Sequence, residues 1–202
     1  MRIRNLMAAE PIFVRPGATI PEAIELMKKS SIRHLPVVDG DGILTGFVTL
    51  SDLKQALVPS MLGELDLADI TIRNPVVVHP DDDVELAARL IHEKKIGGMP
   101  VVDDNRRLLG VLTVTDILKA FIEMMGLLTA SVRLDVDAGG DPEAFTRITG
   151  IIGENGGTVL SAGIAAHRTD RRIYYIRLAA GDVERIEKAL TGAGYPILKI
   201  WA

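Results

Sequence analysis

The side chains best suited to chemistry lie in two short strings, Thr49-Leu50-Ser51-Asp52 and Thr113-Val114-Thr115-Asp116. A threonine hydroxyl at a strand end, just ahead of a helix, can join that helix's free N–H groups in holding a phosphate. An aspartate three residues on only accepts hydrogen bonds, which suits it to a pair of sugar hydroxyls. Thr-x-x-Asp at a helix start is also an ordinary capping arrangement. Its appearance twice at one register favours a ligand, and capping alone stays open. Arg33-His34 is a further candidate: a planar fork of donors for phosphate, beside an imidazole that gains charge if a phosphate raises its pKa. A solvated arginine and a partly packed histidine are the alternative.

The remaining histidines, His79, His92 and His167, show no metal-ligand spacing and read as structural or surface groups. The chain has no cysteine, which removes disulfides, thiolate metal sites and thiol nucleophiles. It has no G-x-S-x-G, P-loop or G-x-G-x-x-G string. No catalytic residue, catalytic cofactor or metal is expected, and the chain does not read as an enzyme.

These strings are positioned by a repeat. A shift of 64 residues lays segment 7–53 on segment 71–117 without a gap, with 14 identities in 47 positions. Pro36-Val37-Val38-Asp39 returns as Pro100-Val101-Val102-Asp103, and Gly46, Thr49 and Asp52 return as Gly110, Thr113 and Asp116. Each copy predicts a short strand (residues 12–14 and 76–78), then a helix. Ile20, Ala23, Ile24 and Met27 recur at helical spacing, as do Val84, Ala87, Ala88 and Ile91. Thr19-x-x-Glu22 predicts a capping box, and Asp83 an N-cap, for these helices. Two strands joined by a tight polar turn follow, at 39–42 and 103–105, and a second helix starts near Ser51 or Thr115. The copies span 1–58 and 70–126, with 59–69 as a linker expected to hold one helical turn.

Residues 127–202 change pattern. Val132, Leu134 and Val136 alternate with Arg133, Asp135 and Asp137 as in a half-exposed strand. A helix face follows at Phe145, Ile148, Thr149 and Ile152, with Asp141 as N-cap and Pro142 at N1. Strands are expected at 158–166 and 173–179 around a charged turn at 168–172. A helix marked by Val183, Ile186 and Leu190 and a strand at 196–201 close the chain. The order is βαββαβ, a split βαβ or ferredoxin-like unit, so the fold class is α+β.

Composition agrees with a globular protein: 48% hydrophobic, 25% charged, net charge −4. Neither half has the excess of positive charge that phosphate-backbone binding needs, so nucleic acid is not an expected partner. The most apolar run, residues 108–114, is too short for a bilayer, and the first residues lack a signal-type apolar core; no membrane partner and a cytoplasmic location are expected.

The duplication, with Pro-Val-Val-Asp and then Gly46-Phe47-Val48-Thr49-Leu50-Ser51-Asp52 or Gly110-Val111-Leu112-Thr113-Val114-Thr115-Asp116, resembles a pair of CBS domains, the Bateman module. The last 75 residues resemble an ACT domain through element order more than motif. The whole is similar to the acetoin-utilisation protein family. The resemblance implies a pseudo-two-fold module with clefts between the repeats. These would hold an adenine nucleotide (AMP, ADP or ATP) or another adenosyl ligand in a regulatory role. It places Asp52 or Asp116 on ribose, Thr49 or Thr113 near phosphate, and the segments before Pro36 and Pro100, with Leu35 and Met99, on adenine. It adds Thr19 and Asp83, and puts Arg33 and His34 beside phosphate where the second copy has Gly97-Gly98. Three carboxylates at Asp81-Asp82-Asp83 would repel phosphate, so the site with Arg33 and His34 is expected to be the stronger.

Glu143 stands where amino-acid-binding ACT domains have glycine, which disfavours that ligand and leaves association as the unit's expected role. Ile117, Leu118, Phe121, Ile122, Met124 and Met125 spread around one helix and need cover. A homodimer is expected, with a regulated protein partner possible. An interaction module with empty clefts, or an amino-acid-sensing ACT regulator, are the alternatives.

Overall fold

The computed structural model describes residues 1–61, 63, 65–165, 172–179 and 181–201. His167, the end of the strand expected at 158–166 and most of the turn expected at 168–172 lie outside the described residues. Two compact units divide the chain, Met1–Leu118 and Lys119–Ala202.

The first unit opens with a 3₁₀ turn, Ile3–Asn5. It continues as β1 (Ala8–Ala9), α1 (Ile20–Lys29), β2 (His34–Val38), β3 (Leu44–Thr49), α2 (Leu50–Met61) and α3 (Leu67–Ile70). Then come α4 (Val84–Lys94), β4 (Gly98–Val102), β5 (Leu108–Thr113) and α5 (Val114–Met124), which crosses into the second unit. The expected strands at 12–14 and 76–78 reduce to single parallel bridges, Val14 to Val37 and Val78 to Val101.

Local chemistry explains these elements. Thr19 accepts from the Glu22 N–H at 3.3 Å while Glu22 accepts from the Thr19 N–H at 2.9 Å, so the capping box forms. The stripe Ile20, Ala23, Ile24 and Met27 is buried. Asp83 stands at the N-cap of α4 but makes no capping bond, a departure from expectation. Its carboxylate lies 3.2 Å from Arg2, and Asp81 pairs with Arg4. Each hairpin is tied by its first aspartate: Asp39 Oδ1 accepts from Asp41 and Ile43, and Asp103 Oδ1 from Asn105 and Arg107.

The repeats trade their leading segments. β1, near the start of the first copy, pairs with β5 of the second through Ala8–Val111 and Ala9–Gly110. Ile72, near the start of the second copy, pairs with Phe47 of the first. A 64-residue shift turns Ala8–Val111 into Ile72–Phe47, so the exchange is reciprocal. The cores follow it: Ile3 sits in the second repeat's core with Val78, Met99 and Leu112, and Leu67 in the first repeat's with Val14, Leu35 and Val48. Two glycines make room. A Cβ on Gly110 would come within 2.9 Å of the Ala8 carbonyl oxygen and 2.8 Å of Met7 Sδ. One on Gly46 would strike the Thr71 methyl.

The second unit contains β6 (Ser131–Asp137), α6 (Ala144–Glu154), β7 (Val159–Ala165), β8 (Ile173–Ala179), α7 (Val183–Gly192) and β9 (Ile197–Trp201). The strands form one antiparallel sheet in the order β7-β8-β6-β9. Leu134, Val136, Tyr174, Ile176 and Leu178 face Ile148, Ile152, Ile186 and Leu190 in its core. Phe145, expected on the buried helix face, is 44% exposed; Ala144 takes that place. Glu143, not Asp141, is the N-cap of α6, and Asp141 Oδ1 accepts from the Glu143 N–H at 2.9 Å. Among the described residues no helix is long and apolar enough to cross a membrane.

Candidate functional site

β3 ends at Thr49 and α2 begins at Leu50; β5 ends at Thr113 and α5 begins at Val114. Each threonine hydroxyl therefore stands at a helix entrance. Thr49 Oγ1 donates to Asp52 Oδ2 at 2.6 Å and accepts from the Asp52 N–H at 3.3 Å. Thr113 donates to Asp116 Oδ2 through its hydroxyl at 2.7 Å and its amide at 2.8 Å. The capping reading is thus realised by opposite halves of a capping box: Thr49 Oγ1 takes the Asp52 N–H, and Asp116 takes the Thr113 N–H. It does not exhaust the carboxylates: Oδ2 serves the cap, and Oδ1 has no hydrogen bond among the described residues. The first N–H of each helix is tied back, Leu50 to the Arg33 carbonyl at 2.9 Å and Val114 to the Gly97 carbonyl at 3.1 Å. Each of those two carbonyls keeps a second lone pair.

Both Thr-Asp pairs line one cleft of about 1060 Å³, which also takes in Arg33, His34, Gly97 and Gly98. That volume reaches the upper end of the small-molecule range. Six of the twelve residues singled out in the sequence are brought together here: Arg33, His34, Thr49, Asp52, Thr113 and Asp116. The other six stand apart. Thr19 lines a separate hollow of about 370 Å³ beside Asp66. Leu35 and Met99 are wholly buried in the two repeat cores. Pro36 and Pro100 are buried in β2 and β4, where their carbonyls accept from Val14 and Val78. Asp83 is paired with Arg2.

Sequence reasoning missed Lys54 and Lys95, which line the cleft with Glu10 and Ile12. Their repeat counterparts are Leu118 and Ser31, so a search for matched residues passes over them. Glu10 and Ile12 arrive through the exchanged segment, which no local pattern announces. Lys54, Lys95 and the exposed Arg33 bring three cations to a cleft whose acids are Glu10, Asp52 and Asp116. Among the described residues no group of histidines or carboxylates could hold a metal ion.

The His34 ring stacks on Phe47, with centroids 5.9 Å apart and planes 14° from parallel. Burial first, then the Arg33 guanidinium, hold its pKa below the usual histidine range. The folded value lies below the unfolded one, so the neutral ring's contribution to stability is complete above the unfolded value of about 6.5. It is lost as pH falls through the folded value. Acidification from about pH 7.5 to about 5 should therefore destabilise the wild type more than His34→Gln, as read by denaturant midpoints. Equal losses would place the ring in water.

In the second unit, Asp141 Oδ2 accepts from the Tyr195 hydroxyl at 2.7 Å and lies 3.5 Å from Arg147, which bonds Glu143 at 2.8 Å. The Tyr195 hydrogen bond leads the causes that lower the Asp141 pKa, and the same bond raises that of Tyr195. The turn ahead of α6 is thus held from outside it, by Tyr195 and by Arg147 of α6.

The family model described as the CBS domain matches residues 3–59 and 67–123. A homoserine O-acetyltransferase from Methanocorpusculum labreanum is 39% identical over 114 residues, 56% of this chain but 23% of that enzyme. The chain thus spans about a quarter of the curated relatives it first matches. The CBS domain pair of protein MJ0100, solved with 5′-methylthioadenosine and S-adenosyl-L-methionine, is 33% identical with a TM-score of 0.56, covering 60% of this chain and 95% of that one. A Vibrio cholerae protein described as an acetoin utilization protein is 28% identical with a TM-score of 0.56, covering 63% and 95%.

Proposed function

The chain belongs to the CBS-domain family, and on that premise we propose that it is a regulatory sensor whose cleft takes an adenosyl ligand, an adenine nucleotide or a related compound. The observation that carries this reading is the Thr-Asp pair built twice on one cleft, each carboxylate with Oδ1 left over after capping its helix. A ribose offers two hydroxyl donors to such an oxygen, and the helix entrance beside it suits a phosphate or another anionic group. The ligands in the MJ0100 domain pair are of this class. Calorimetry with AMP, ADP, ATP, S-adenosyl-L-methionine and 5′-methylthioadenosine tests the reading, alongside mass spectrometry of whatever the purified protein releases. Saturable heat from at least one is expected. Silence from all five would select an interaction module with empty clefts.

Arg33 is exposed and makes no ion pair among the described residues, so its charge is free for phosphate. Arg33→Ala should weaken ATP and ADP by roughly tenfold, the scale of one charge-assisted hydrogen bond, and adenosine little. Equal losses for all three would show that Arg33 acts through packing.

The C-terminal unit is proposed to be ACT-like and to pass the cleft's state to a regulated protein partner in the cytoplasm. A homodimer belongs to this reading. Leu118, Phe121 and Met124 of α5 are each more than half exposed, more apolar surface than a lone helix carries comfortably. Sedimentation equilibrium at micromolar protein should give twice the 21.8 kDa chain mass; a clean monomer with and without nucleotide removes the dimer.

A further inference from the structure

We propose that His34 is a septum shared by the two halves of the cleft, so that a ligand in one half weakens binding in the other. The inference rests on the adenosyl-ligand reading and adds to it how the halves communicate.

The repeats are unequal where they meet. Arg33 and His34 of the first stand at the positions of Gly97 and Gly98 in the second. The imidazole reaches across to those glycines: a Cβ built on Gly97 would lie 2.9 Å from His34 Nε2, and one on Gly98 3.4 Å from Cε1. The ring thus fills the room that the second repeat leaves by having no side chain there. Its backbone pairs with Thr49, while Gly98 pairs with Thr113. One ring therefore bridges from the Thr49–Asp52 half to the Thr113–Asp116 half, and the second repeat contributes no counterpart. Phe47 flanks it, with Val111 as the smaller equivalent.

A ligand that reaches the cleft's centre beside Thr113 needs the ring off Gly97 and Gly98. The volume so displaced returns toward Thr49. A ligand that fills the Thr49 half keeps the ring on the glycines and closes the same central space to the other. Antagonism follows from one movable group serving two places.

Gly97→Ala isolates the effect. Beyond the flanking residues Ile96 and Gly98, the only atoms within 4 Å of the added methyl belong to the His34 ring, and the glycine does not have a positive φ. The variant therefore forces the imidazole to shift without removing it. Calorimetry with the tightest adenosyl ligand would measure the Thr113–Asp116 half twice: with the other half filled, in the otherwise unaltered cleft, and with it disabled by Asp52→Ala. With Gly97 in place, the affinity should be about fivefold or more weaker when the first half is filled. With Gly97→Ala, and with His34→Gly, the two values should coincide. A fivefold difference that survives both changes overturns the septum while leaving the sensor reading standing, as does its absence from the wild type. No binding of any adenosyl ligand to any variant overturns both.

Discussion

Ile3→Ala combined with Leu67→Ala is expected to bring the first unit to the edge of unfolding. Ile3 is wholly buried and Leu67 is 3% exposed, each in the core of the repeat that follows or precedes its own. Truncating a buried isoleucine or leucine to alanine costs about 2–5 kcal/mol, the spread reflecting how far the site collapses. The two residues occupy different cores, so the losses should add, to about 4–10 kcal/mol. Domain stability is itself only about 5–15 kcal/mol. Guanidinium titrations followed by circular dichroism should show each single variant shifted and the double variant largely unfolded without denaturant. The exchange also predicts one shared transition for both repeats. Either single change should loosen the pair as a whole, because the segment holding Ile3 continues into β1 and that holding Leu67 into Ile72. Separate transitions, one per repeat, would show that the exchanged segments are ornaments on two independent domains.

That exchange could not be read from the sequence, and the reason is physical. β1 is two residues long and its partner across the pseudo-two-fold is a single bridge, too short to carry any period. The glycines that permit it, Gly46 and Gly110, were visible as repeated residues, but a glycine does not say which chain passes over it. What was legible was whatever chain chemistry settles locally. The capping box at Thr19, the Asp39 and Asp103 turns, the buried stripe of α1 and the strand-to-helix junctions at Thr49 and Thr113 all rest on contacts within a few residues. The βαββαβ order of the second unit was legible for the same reason.

Asp83 failed as a cap because Arg2, 81 residues away in sequence, competes for its carboxylate. Half of the candidate site was legible in the same sense. The six residues that meet in the cleft stand at strand ends or in the first turn of the helix that follows. Leu35 and Met99 pack in their own cores, and Pro36 and Pro100 are buried within β2 and β4. His34 shows the limit most plainly: its mismatch with Gly98 looked like a difference in charge, and the fold makes it a fit in volume.

Asp52→Ala combined with Asp116→Ala is expected to abolish adenosyl-ligand binding. Each carboxylate can give a ligand hydroxyl a charge-assisted hydrogen bond, worth about 1.5–3 kcal/mol, or roughly 10–150-fold in affinity. Losing it in both halves leaves no half to compensate. Each aspartate also accepts from its own threonine, so alanine strips a helix cap as well, at about 0.5–2 kcal/mol of stability. Loss of binding by the alanine variant alone could then reflect a loosened α2 or α5. Asp52→Asn combined with Asp116→Asn separates the two effects. An amide oxygen still accepts from the threonine, so the cap and the unfolding midpoint should survive. The charge is gone, and affinity should fall by at least about tenfold. Calorimetry on both double variants, with denaturant midpoints measured alongside, gives the decision. Weak binding by a stable asparagine variant puts the carboxylates on the ligand. Wild-type affinity in the alanine variant would leave Thr49, Asp52, Thr113 and Asp116 as caps and nothing more, and would move the ligand, with the regulatory reading built on it, out of this part of the cleft.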